Sequence, residues 1–202
     1  MVTLEEVIDK SGLNPIRILN IYLFGSQIYG TASEKSDYDI LIIANTPYPE
    51  RELVVDNFNM HILTLDRFIE GLKNFNIRNI ECLQSPFILK ENIFIPFDIK
   101  VPPLRHSISH TCNNSWAKCK KKLEQGDYYI GIKSLFHALR IAMFVIKLVE
   151  HGKIIDWGCS NYIWENLISK NWTWEELDSF YRKERNNTLS HFRKITTKLY
   201  LG

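Results

Sequence analysis

Apolar residues fall in two rhythms along the chain. In the first half they come as short dense runs: IRILNIYLF at 16–24, YDILIIA at 38–44, ELVVD at 52–56 and NMHILTL at 59–65. Runs of this length, rich in Ile, Leu, Val and aromatics and bounded by Gly, Pro or Asn, predict β-strands. The run at 38–44 is apolar at nearly every position, which predicts a central strand covered on both faces. The last two runs read as a hairpin turning at Asn57 and Phe58. Residues 3–12 predict a helix, with Thr3 as N-cap, Glu6 three positions on and Gly12 as the stop. Residues 26–32 read as a short helix or turn, and 66–75 as a helix capped by Asp66. Residues 79–90 hold a short helix ending near Ser85-Pro86, then a strand.

The second rhythm is helical, over about 105–124, 127–151, 160–170 and 173–200. Thr173 and Glu176 form a capping box for the last of these. Three of the seven prolines lie between Ile95 and Pro103, and the domain boundary is expected there. The expected architecture is therefore an α/β domain over 1–100 followed by an all-helical domain over 101–202.

Composition narrows this only a little. A chain of 202 residues with 45% hydrophobic residues can bury a real core. The net charge of +2 is too weak to argue for or against nucleic acid, so local patches must decide. The first ten residues, MVTLEEVIDK, have acids and no long apolar core, unlike a secretory signal. The longest apolar run, Ile141 to Leu148, is interrupted by Lys147 and is too short to span a bilayer. Cys82, Cys112, Cys119 and Cys159 show no CxxC spacing and read as ordinary thiols of a reduced, cytoplasmic protein.

The chemistry concentrates in LFGSQIYGTASEKSDYDILII, residues 23–43. Asp37 and Asp39 are two apart, so an extended chain puts both on one face, with Cα atoms roughly 6–7 Å apart. Two ionised carboxylates at that spacing repel by about 2–3 kcal/mol at an effective dielectric near 20, which a hard cation such as Mg²⁺ would relieve. Gly25-Ser26 follows a strand. Glycine lets backbone N–H groups approach a phosphate, the helix or turn that follows favours an anion, and the serine adds a donor. This is not a Walker loop, since no G-K-[ST] follows, nor a G-x-G-x-x-G fingerprint. A phosphate-gripping corner beside a metal-gripping pair suits metal-assisted phosphoryl or nucleotidyl transfer.

The order Gly-Ser, ten residues, Asp-x-Asp between two strands resembles the signature of the DNA polymerase β nucleotidyltransferase superfamily. GSQIYGTASEKSDYDILII is similar, more narrowly, to the RNA-repair-associated branch of predicted nucleotidyltransferases. The likeness extends to HILTLDRFIEGLKNFNIRNIECL at 61–83 and KSLFHALRIAMFVIKLVEHGKI at 133–154. The resemblance implies a mixed sheet of the nucleotidyltransferase fold followed by helices. It also implies two Mg²⁺ ions, with Mn²⁺ as an alternative, on three acidic side chains, and a nucleoside triphosphate such as ATP as donor. Gly25 and Ser26 would hold the phosphates, Asp37 and Asp39 the metals. The acceptor implied is an RNA hydroxyl. A protein acceptor, or nucleotide or RNA binding without catalysis, are the alternatives.

The chain departs from the family pattern at the third carboxylate. By spacing to Leu65 and Phe68, that place falls on Asn59, with His61 on the same face. Asp56 can serve if the hairpin register differs, and Glu52 and Glu81 are more distant candidates. His61 is also a candidate base, its unperturbed pKa lying near 6.5.

In the helical half, Lys133, His137, Arg140 and Lys147 share one helix face, a basic stripe suited to a triphosphate, with Lys133 and Arg140 as candidate nucleotide-binding residues. KCKKK at 118–122 and Arg182, Lys183, Arg185, Arg193, Lys194 and Lys198, with Tyr181, Phe192 and Tyr200 among them, form a second basic region of the kind that holds single-stranded nucleic acid. At helical spacing such aromatics also serve a core, and Trp157, Trp164, Trp172 and Trp174 are expected to knit the helices together.

Overall fold

The computed structural model describes residues 2–201, the last three by backbone alone, so the side chain of Tyr200 lies outside the described residues. The chain divides into two compact units, Met1–Asp98 and Ile99–Gly202.

The first unit opens with α1 (Leu4–Ser11). The Thr3 hydroxyl accepts the Glu6 N–H, the Glu6 carboxylate accepts the Thr3 N–H at 2.8 Å, and Gly12 ends the helix at φ 62°. Asn14 and Pro15 then form a 3₁₀ turn, Pro15–Arg17, so β1 (Ile18–Phe24) starts two residues later than its apolar run. It is followed by α2 (Ser26–Tyr29), β2 (Tyr38–Ala44), β3 (Glu50–Val55), β4 (Phe58–Leu63), α3 (Leu65–Lys73), α4 (Ile77–Gln84) and β5 (Ile88–Glu91). The hairpin turns at Asp56 and Asn57, one residue earlier than expected. Thr64 rather than Asp66 caps α3, because its hydroxyl is the one that reaches the Arg67 N–H.

The five strands form one mixed sheet in the order β3-β4-β2-β1-β5. β2 runs antiparallel to β1 and parallel to β4, and Ile40 to Ala44 are fully buried, as a strand covered on both faces requires. The one polar residue inside β1, Asn20, is also fully buried. Its amide donates to Tyr22 Oη and to the Ile93 carbonyl, and its Oδ1 accepts the N–H groups of Asn92 and Ile93. A buried amide satisfied on both sides fixes the chain beyond β5 instead of weakening the core. Another buried amide, Asn79, donates to the Phe68 carbonyl at 2.9 Å and locks α4 on α3. It fits because Gly71 has no side chain: a Cβ there would lie 2.2 Å from Asn79 Nδ2.

The second unit holds α5 (Val101–Glu124), α6 (Tyr128–His151), α7 (Asn161–Ile168) and α8 (Trp174–Leu201). α5 begins at Val101, so Pro102 and Pro103 occupy its first turn, where their missing N–H groups cost nothing. Thr173 and Glu176 exchange the reciprocal hydrogen bonds of a capping box. Leu135, Leu139, Ile163, Leu167, Leu177 and Tyr181 make the core, with Trp172 buried in it and Trp116, Trp164 and Trp174 packed against it. Among the described residues no helix is long and apolar enough to cross a membrane.

Candidate functional site

The site is built where three strands meet. β1 ends at Phe24, which is level with Asp39 on β2, and Asp39 is level with Asn59 on the parallel neighbour β4. Residues level across a ladder share a face, so the three side chains lie in a row. Gly25 follows directly, at φ 80° and ψ −158°, a conformation essentially confined to glycine. Its bare Cα is pressed on the acid: a Cβ built there would lie 2.1 Å from Asp39 Oδ2. The glycine corner and the second aspartate are therefore neighbours. Ser26 opens α2, a single turn of four residues.

Asn59 donates its Nδ2–H to Asp39 Oδ1 at 3.1 Å. An amide thus stands where the family pattern has an acid. The Asn59 Oδ1 is buried and accepts no hydrogen bond among the described residues. Asp37 lies just before β2 and is exposed. The ladder begins at the next residue, where the Tyr38 N–H reaches the Asn57 carbonyl at 2.8 Å.

Asp56, expected as a third metal ligand, lies apart from Asp39 and Asn59. It sits in the turn at φ 52°, with its carboxylate 2.5 Å from Lys10 Nζ. Lys10 lies over the Phe58 ring, 5.2 Å from its centroid, and Phe58 is level with Tyr38. Alternation puts those rings on the face opposite Asp39 and Asn59, so Asp56 is engaged on the wrong side of the sheet.

His61, two residues after Asn59, does share its face, with its ring 6.0 Å from that of Phe24. Arg78 of α4 places Nη1 3.1 Å from His61 Nδ1, and Glu52 Oε1 is 3.8 Å from Nε2. A guanidinium only donates, so Nδ1 is the accepting nitrogen and Nε2 carries the proton. Burial and then the charge of Arg78 hold the imidazole below its ordinary range, with Glu52 and Glu50 opposing. The ring is neutral near pH 7, yet the lone pair that a base would use is already taken by Arg78. In this arrangement Nδ1 of His61 is engaged by Arg78.

Two roles escaped sequence reasoning, that of Arg78 and that of Glu81, which the sequence offered only as a distant candidate for the third carboxylate. Arg78 is brought to His61 only by the packing of α4. Glu81, one turn further along α4, is 2% exposed and accepts a 2.5 Å hydrogen bond from Tyr29 Oη at the end of α2. The pairing ties the turn that follows Gly25-Ser26 to α4. The sequence signal was an acid at an otherwise core-facing helical position.

Lys133 and Arg140 belong to α6 of the helical unit. Lys133 Nζ lies 6.0 Å from the Tyr129 ring centroid. Arg140 is 2% exposed, 4.7 Å from the Phe144 ring centroid, with Nη2 3.2 Å from His137 Nδ1. Burial and the charges of Arg140, Lys133 and Lys118 push His137 well below its usual range. The expected basic stripe is thus interrupted by a neutral imidazole, and Arg140 is buried instead of solvated.

Carboxylate oxygens are hard donors of the kind a divalent ion takes, and Asp37 stands two residues before Asp39 in the chain. A second ion is not equally served, because Asn59 brings no charge. Among the described residues no group of three or more His, Cys, Asp or Glu side chains is gathered to hold a metal.

Residues 3–108 match the family model of the nucleotidyltransferase domain. Among solved structures, the chain is similar to a nucleotidyltransferase-like protein from Exiguobacterium sibiricum, at 13% identity over 96% of this chain and 73% of that one, with a TM-score of 0.32. It is also similar to an aminoglycoside 6-adenyltransferase from Bacillus subtilis, at 15% identity over 98% and 90%, with a TM-score of 0.28. No curated protein matches the sequence.

Proposed function

The chain belongs to the nucleotidyltransferase domain family, and on that premise we propose that it moves a nucleoside monophosphate from a nucleoside triphosphate to an RNA hydroxyl, releasing pyrophosphate. The observation that supports the reading is the close approach of Gly25 to Asp39, the expected phosphate corner and the expected cation ligand. Gly25 and Ser26 hold the polyphosphate, and Asp37 and Asp39 hold Mg²⁺ or Mn²⁺. A bound ion supplies charge screening of the triphosphate and polarisation of its phosphorus. Fixing the donor at rigid strand ends lets the acceptor oxygen approach the α-phosphorus opposite the leaving pyrophosphate.

Charge supports the choice of acceptor. The near-neutral total conceals two unlike halves: residues 1–98 hold eight Lys and Arg against fourteen Asp and Glu, and residues 99–202 hold seventeen against nine. Lys118, Lys120 and Lys121 of α5 and Arg182, Lys183, Arg193, Lys194 and Lys198 of α8 are exposed. An excess of exposed cations on one unit favours a polyanion. Four free cysteines support a reducing, cytoplasmic setting.

A second reading is favoured by Asn59: a module that binds a nucleotide and does not transfer it. Purified protein, Mg²⁺, each α-labelled ribonucleoside triphosphate and pooled RNA separate the two. Transfer predicts labelled RNA, lost in Asp39→Asn. Labelled polypeptide moves the acceptor to protein, and bound triphosphate without pyrophosphate supports the second reading.

A further inference from the structure

The position level with Asp39 on β4 is the one where this chain differs most sharply from a site for two cations. Asn59 is neutral, and its N–H already occupies one oxygen of Asp39 at 3.1 Å. An ion on that oxygen would share it with the hydrogen bond, with one lone pair left to take, and would gain no charge from the amide. The face across the sheet gives no substitute, since Asp56 is paired with Lys10 there. His61 gives none either, because a metal needs an imidazole lone pair and Arg78 uses it.

We infer that Asn59 fills the seat of the acceptor-side ion, so that the site takes a single divalent cation, the one that accompanies the triphosphate. The amide N–H does permanently for Asp39 what a second ion does transiently: it places partial positive charge on Oδ1 and holds the carboxylate in its rotamer. The inference rests on the nucleotidyl-transfer reading, which supplies the triphosphate. The rival arrangement uses the unpartnered Asn59 Oδ1 as a ligand after the amide turns over, and a second ion then binds the native chain.

Counting ions decides between them without reference to turnover. The full chain is saturated with the α,β-methylene analogue of each ribonucleoside triphosphate in turn, Mn²⁺ is titrated in, and free Mn²⁺ is read by electron paramagnetic resonance. The wild type should bind one Mn²⁺ per chain with the analogue. Asn59→Asp should bind two, and Asn59→Ala one. Two Mn²⁺ on the wild type, or only one on a folded Asn59→Asp variant, would overturn the inference. Should Asn59→Asp fail to fold by circular dichroism, the wild-type and Asn59→Ala counts still decide. Failure of every analogue to bind the wild type would instead remove the nucleotide reading itself, and the inference with it.

Discussion

Replacing Gly25 by alanine tests the site's central contact. The backbone there, at φ 80° and ψ −158°, lies in a region nearly closed to residues with a Cβ, at a cost of about 1–3 kcal/mol. The new methyl also lands 2.1 Å from Asp39 Oδ2 and 2.9 Å from Asp39 Cβ and Cγ. Swinging the carboxylate relieves the contacts with Oδ2 and Cγ but not the one with Cβ, which β2 fixes. The swing also breaks the Asn59 hydrogen bond to a charged acceptor, worth about 1.5–3 kcal/mol. The sum, about 2.5–6 kcal/mol, corresponds to a fall in melting temperature of about 5–24 °C for a chain of this size. Gly12→Ala is the control: its φ is 62°, but nothing lies within 4 Å of its Cβ, so it bears only a backbone cost of about 1–2 kcal/mol. Thermal unfolding followed by circular dichroism, with triphosphate binding measured in parallel, reads both variants. A Gly25→Ala protein that melts with Gly12→Ala and binds triphosphate normally would refute the close approach of glycine and aspartate.

Other perturbations reach neighbouring parts of the argument. Tyr29→Phe should destabilise by about 1–2 kcal/mol in chemical denaturation, since it removes a hydrogen bond to the buried Glu81 carboxylate. His137 binds a proton more weakly folded than unfolded, so its contribution is complete above pH 6.5 and is lost as pH falls below that toward the depressed folded value. Melting curves of His137→Gln should accordingly show a shallower acid limb than the wild type below pH 6.5, and identical limbs would contradict a half-buried neutral imidazole. Reversing two exposed cations of α5, Lys118→Glu with Lys121→Glu, should weaken RNA binding and reduce its log–log salt slope by about 2, as measured by fluorescence anisotropy. An unchanged slope would place the RNA elsewhere or nowhere.

What could be read without coordinates follows from how local each cause is. Strand β2 announced itself because burial on both faces removes every polar position, and the α1 and α8 boundaries because capping residues act within one turn. The Gly-Ser and Asp-x-Asp residues were visible as a pattern, and Asn59 was found by counting back from α3. Errors arose where one residue decides a face. A hairpin that turns at Asp56 and Asn57, not at Asn57 and Phe58, starts β4 at Phe58 and leaves Asp56 in the turn, its carboxylate held by Lys10 against the Phe58 face. Arg78, Glu81 and the burial of Arg140 were beyond reach for a different reason. Each role depends on which helix packs on which strand or helix; an acid at a core-facing position, as at Glu81, marks burial but not the partner it meets. The same distinction bears on Asn59. Its identity was plain in the sequence, yet its meaning depends on parallel pairing with β2, because only that register turns a surface asparagine into the donor that occupies an aspartate's cation-binding oxygen. A strand slip of one residue would put Met60 beside Asp39 and leave the carboxylate without that donor, so the hydrogen bond and the register stand or fall together.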